Sequence, residues 1–231
     1  PGPKRVFNGE HGYFKLIENN HYDTTYLKEN IGKVWMVNEL AHKPYPSGRL
    51  THGLVHAIKD LKLKYGLNKD DIVSIECLVP PGVHKLVSRP IVDNLTTNYS
   101  KLCAKFVGAS FMVNNHLDIE SFTEKKYLNN NETLDFAKKI TLIKNEKFDQ
   151  KVLTPQKFII TLLNNKKIEI NLDHVYGHPK APLSEKEYLE KFSKCCISST
   201  EKIDNHQVNG MIDFIFDLEN KENIVDFFKT I

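Results

Sequence analysis

The segment Lys43-Pro44-Tyr45-Pro46-Ser47-Gly48-Arg49-Leu50-Thr51-His52 gathers two fixed cations, two hydroxyls, a phenol and an imidazole within ten residues. Pro44 and Pro46 restrict the backbone that carries them. A stiff backbone with clustered donors suits a small polyanion. Lysine and arginine give charge-assisted bonds to carboxylates, and a lysine whose pKa is lowered by burial can also move protons. Thr51 and His52 fall in the first turn of an expected helix, where free N–H groups favour anions. The competing reading is a solvated loop in which Lys43 and Arg49 face water and Thr51 merely starts the helix.

Other groups of reactive residues carry less. His52 and His56 are spaced i, i+4 and His84 lies further on, but no Glu follows His52 as in a zinc protease and no third ligand is evident. No metal site is expected. Gly177-His178-Pro179 reads as a crossing between layers, with Gly177 in a backbone conformation other residues resist. Cys103 lacks a neighbouring base in sequence, which leaves a nucleophilic role unsupported. The four cysteines, Cys77, Cys103, Cys195 and Cys196, show neither Cys-x-x-Cys spacing nor a disulfide framework. They read as reduced thiols of a cytoplasmic protein. The lysines from Lys138 to Lys151, with Glu146 and Asp149 among them, read as a solvated face.

Positioning the Lys43 segment requires a folded frame, and the chain supplies one. At 231 residues, with 40% hydrophobic and 26% charged residues, it has the composition of a globular protein. Its net charge of +3 arises from 32 basic and 29 acidic residues spread along the chain. That balance excludes a nucleic-acid footprint, and no apolar run approaches a membrane span. Pro1 in place of an initiator Met, with no signal sequence after it, suggests a processed product or a fragment.

Thr51 to Tyr65 reads as a helix stopped at Gly66. Ile72–Val79 is an expected strand ended by Pro80-Pro81-Gly82, and a helix is expected from about Tyr99 to Val113. Asn131 can cap a short helix to Lys139. Ile140–Ile143, Phe158–Leu163 and Lys167–Leu172 follow as strands, the last two joined by a hairpin turn at Asn164-Asn165-Lys166. Ser184-Glu185-Lys186-Glu187 opens a further helix as a capping box. The fold class is α+β: an antiparallel sheet with helices on one face, flanked by helical segments. The expected divisions are 1–42, 43–176 and 177–231.

Read together, four segments resemble the MmgE/PrpD family, which includes 2-methylcitrate dehydratase, cis-aconitate decarboxylase and iminodisuccinate epimerase. They are Phe7-Asn8-Gly9-Glu10-His11-Gly12-Tyr13, Lys43-Pro44-Tyr45-Pro46 with Thr51-His52, Asn114 to Phe122, and Gly177 to Ser184 with Lys191-Phe192. The resemblance implies an all-α domain interrupted by a lid-like α+β domain, with the site between them. Residues 1–42 and 177–231 would then belong to the helical domain and 43–176 to the lid. It also implies cofactor-independent chemistry on small di- or tricarboxylic acids, in dimers. Lys43 carries over as the catalytic residue, pairing with a substrate carboxylate or stabilising an enolate-like charge. His52 carries over as a second, substrate-binding candidate, while Tyr45 and Arg49 are substrate-binding candidates from the residue cluster itself. One departure is the run Tyr99-Ser100-Lys101-Leu102-Cys103, where the family's reaching tyrosine is replaced by a thiol.

The expected function is the C-terminal half of a lyase like 2-methylcitrate dehydratase that removes an α-proton and water. Decarboxylation or epimerisation would use the same opening step, and the residues present do not separate the three. The facing N-terminal helical half is its expected partner, and no cofactor, nucleic acid or membrane is expected. The alternative is a non-catalytic module that dimerises or binds an organic acid with half a site.

Overall fold

The computed structural model describes residue 2 and residues 4–19, 21–201 and 203–229. The chain divides into two compact units, Pro1–Leu40 and Ala41–Ile231.

The first unit holds two short helices, Tyr13–Leu16 and Thr25–Asn30, and a tight turn at Met36–Glu39. Phe14 stacks on Tyr22 with ring centroids 3.9 Å apart, yet Ile31 and Trp35 remain 76% and 67% exposed. So short a segment gathers rings without enclosing a core.

The second unit is built on a main core, with a smaller cluster between its last two helices. Helix α1, His52–Tyr65, buries Leu54, Val55, Ile58 and Leu61 along one stripe. A 3-10 turn at Arg49–Thr51 leads into it, and left-handed Gly66 ends it as expected. Strand β1, Ile72–Val79, has the expected bounds. The proline pair after it does more than stop the strand. Pro81 opens helix α2, Pro81–Val87, because a missing N–H costs nothing at a first helical position.

The single helix expected over Tyr99–Val113 is broken. A short turn of helix at Thr97–Ser100 precedes helix α3, Ala104–Asn114, and Cys103 between them is extended at φ −99°, ψ 98°. The Cys103 thiol donates to the Arg89 carbonyl at 3.4 Å, a tertiary contact that local periodicity cannot reveal. Helix α4, Asn131–Lys138, is capped by Asn130, one residue before the expected cap.

Strands β2 (Ile140–Lys144), β3 (Gln156–Leu162) and β4 (Lys167–Leu172) complete a sheet of order β2-β1-β3-β4. Asn165 takes the left-handed conformation at the β3–β4 turn, with φ 61°. The fold is α+β, as expected, but the sheet is mixed rather than wholly antiparallel. β1 pairs parallel with β2, Ile75 opposite Ile140, while β3 runs antiparallel to both β1 and β4. The reason is the long crossover through α2, α3 and α4, which returns the chain to the end where β1 began.

One face of the sheet buries Ile75, Cys77, Phe158, Ile160 and Ile170. The other carries the wet pair Lys157–Glu169 at 2.8 Å. Gly108 of α3 lets α1 approach closely, since a Cβ there would lie 2.5 Å from Leu54 Cδ2. After β4 come helices α5, Glu185–Ile197, and α6, Asn205–Phe216, which share a small cluster of Cys196, Val208 and Met211. The Ser184–Glu187 capping box forms as expected. All four cysteines are free thiols. Among the described residues no helix is long and apolar enough to cross a membrane.

Candidate functional site

The Lys43 segment is held in place by a loop distant in sequence. The His42 N–H donates to the Gly177 carbonyl at 2.8 Å, and Gly177 sits at φ 89°. A Cβ on Gly177 would lie 2.1 Å from the His42 carbonyl oxygen. The conformation expected of Gly177 is thus present, and its cause is the close approach of the two backbones. Gly177→Ala is expected to cost roughly 2–3 kcal/mol through a strained φ and this clash. Urea unfolding measures it, and an unchanged midpoint would show that the clash relaxes freely.

Above this junction lies a cleft of about 460 Å³. Lys43, Pro44, Tyr45 and Pro46 form one wall, and the turn through Asn115, His116, Leu117, Asp118 and Ile119 forms another. Helix α5 contributes Glu187, Glu190, Lys191, Lys194 and Cys195. Their spacing puts all five on one side of that helix. Lys59 of α1 and Tyr176 also line the cleft.

Most of the cleft's charges are already matched. Lys59 Nζ lies 2.8 Å from Glu187 Oε1 and 4.3 Å over the Tyr176 ring. Glu187 also accepts hydrogen bonds from the Tyr176 hydroxyl and, at 2.7 Å, from Ser184 Oγ. Lys194 pairs with Asp118 at 3.1 Å. Glu190 has Lys186 at 3.9 Å. Lys43 and Lys191 have no ion pair among the described residues, so the cleft presents two uncompensated cations.

Burial pushes the Glu187 carboxyl up, but the bonds from Lys59, Tyr176 and Ser184 outweigh it and hold the group at about 2, below its ordinary 4.5. A depressed carboxyl stabilises the fold above its unfolded pKa and loses that contribution as pH falls. The stability difference between the unaltered protein and Glu187→Gln is therefore expected in full above pH 4.5, vanishing between 4.5 and about 2. Unfolding across that range measures it, and a pH-independent difference would contradict the assignment.

Of the four residues nominated from sequence, the structure brings Lys43 and Tyr45 into the cleft wall. Burial, with the Glu187 charge adding to it, pushes the Tyr45 phenol up to about 12, which keeps it a hydrogen-bond donor. Arg49 and His52 stand behind the wall. Arg49 Nη1 donates to the Tyr176 carbonyl at 2.7 Å and Nη2 to the Val175 carbonyl at 3.0 Å. Its Nη1 also lies 3.4 Å from His52 Nδ1. His52 is fully buried, with its ring edge-on to Tyr45 at 5.3 Å. Both position the wall.

Sequence reasoning nominated none of Lys59, His116, Glu187, Lys191 and Lys194 for the site, although His116 and Lys191 lie in segments that resemble the family and Glu187 was read as part of a cap. A further signal was the charged stripe at i, i+4 and i+7 on α5, which reads equally well as a solvated face. No group of three His, Cys, Asp or Glu among the described residues is placed to hold a metal ion.

A family model for the MmgE/PrpD C-terminal domain matches residues 45–212. That span includes Tyr45, Lys59, the 115–119 turn and all of α5, and begins two residues after Lys43. No curated protein matches the chain.

Proposed function

The chain belongs to the MmgE/PrpD family of dehydratase-like enzymes, through its C-terminal domain, and from that premise we propose that its cleft binds a small di- or tricarboxylic acid for loss of water. The reading closest to hand is a 2-methylcitrate dehydratase-like reaction. The observation that carries it is the charge balance of the cleft: Lys59 and Lys194 are neutralised by Glu187 and Asp118, while Lys43 and Lys191 are left for a ligand. Two such cations match two carboxylates.

Lys43 holds a carboxylate and stabilises the charge that builds on it when the neighbouring C–H bond breaks. Tyr45 donates a hydrogen bond to a substrate oxygen. Arg49 and His52 act only by fixing these two. The same reading expects a helical domain to face this wall and the protein to dimerise in the cytoplasm, with light scattering as the test of dimerisation.

The deciding experiment is turnover of 2-methylcitrate by the complete natural protein, followed through the absorbance of the new carbon–carbon double bond. Binding without turnover would instead favour an organic-acid-binding module. Absence of both binding and turnover would refute the proposal.

A further inference from the structure

The turn after α3 brings His116 to the cleft wall. Asn115 ends that helix in the left-handed conformation, φ 63°, which asparagine tolerates better than most residues. The turn is pinned from two sides. Lys62 of α1 donates to Asn115 Oδ1 at 2.6 Å, and Lys194 of α5 reaches Asp118 at 3.1 Å. The ring of Tyr127 meets the His116 ring edge-on, with centroids 5.9 Å apart.

This frame also sets the imidazole's tautomer. His116 Nδ1 lies 2.7 Å from the Asn114 carbonyl oxygen. A carbonyl cannot donate, so Nδ1 carries the proton and Nε2 of the neutral ring keeps its lone pair. Two of the cleft's three carboxylates are committed, and the third, Glu190, faces Lys186 at 3.9 Å. Glu187 is held by Lys59, Tyr176 and Ser184, and Asp118 by Lys194.

We propose that His116 is the general base of this cleft, its Nε2 removing the proton α to a carboxylate held by Lys43. The inference rests on reading the cleft as the site of a carboxylic-acid lyase. The C–H bond breaks with its proton going to Nε2. Its electron pair forms the new carbon–carbon double bond as the hydroxyl leaves the adjacent carbon. The imidazolium returns the proton to that hydroxyl, which departs as water. His116 ends neutral, and no other reagent is consumed.

The test uses the complete natural protein in D₂O with 2-methylcitrate, citrate and malate as probes. Turnover and deuterium exchange at carbon are both read. His116→Gln keeps polar reach without basicity, so kcat and exchange should fall about 10²–10⁴-fold while binding of the acids persists. In His116→Ala, added imidazole should restore part of the rate, which a structural role for the ring would not permit. Unchanged kcat in His116→Gln, beside loss of activity in Lys43→Ala, overturns the base assignment and leaves the site reading intact. Absence of both exchange and turnover in the unaltered protein with every probe overturns both.

Discussion

Lys43→Ala is expected to lower kcat/KM by about 10²–10³-fold, the usual loss when one group that stabilises developing charge is removed. Lys43 is exposed and makes no hydrogen bond or ion pair among the described residues, so the fold does not depend on its ammonium. The melting temperature should stay put while activity falls. This separation makes the test clean, because a loss of rate at constant stability cannot be assigned to unfolding.

Lys43→Arg should recover part of the rate, since charge is kept but the compact ammonium becomes a planar fork. Lys59→Ala should behave differently. It leaves Glu187 without its cation, so it places a free negative charge beside the substrate and weakens acid binding through repulsion. Wild-type kcat/KM in Lys43→Ala would remove Lys43 from the mechanism.

What the sequence made legible is what local chemistry decides. β1 and β4 fell at their expected bounds because each is an apolar alternation closed by residues that end strands. Ser184 and Glu187 form their capping box because both partners lie within one turn. Gly177 was legible as a special conformation, though only the structure supplies the neighbour that requires it, the closely approaching His42 backbone. The parallel β1–β2 pair was hidden because register between strands so far apart depends on how the intervening helices pack. The break at Cys103 depends likewise on the Arg89 carbonyl.

The site divides along the same line. Lys43 and Tyr45 sit on a segment whose prolines announce a fixed surface. Arg49 and His52 carry equally suggestive side chains, and the structure turns them inward to backbone carbonyls and to Tyr45. Residue type indicates which chemistry is possible, while solvent access decides whether a ligand can reach it. Glu187 and Lys191 were not legible as site residues, for the opposite reason. A charged helix face pointing into a cleft has the same sequence pattern as one pointing into water.

Acid should unfold this protein by way of His52. Burial, then the Arg49 charge and to a lesser extent those of Lys43 and Lys191, push the imidazole down to about 3 from its ordinary 6.5, against the opposing pull of the Ser47 carbonyl. The unfolded chain therefore binds a proton at His52 between pH 6.5 and about 3 that the folded chain refuses. Stability attributable to this group is full above 6.5, declines as pH falls through that window and levels off near 3. At 1.36 kcal/mol per unit the whole window amounts to roughly 4–5 kcal/mol, a large share of a typical domain's stability. His56 is shifted in the same direction by burial and adds to the slope, so the comparison must be made at His52 itself. His52→Leu removes the titrating ring, and its acid limb should flatten between pH 6.5 and 5, above the range in which Glu187 titrates. Urea unfolding at pH 7 and pH 5 reads this directly. A variant that loses as much stability on acidification as the parent would show that His52 does not carry the effect.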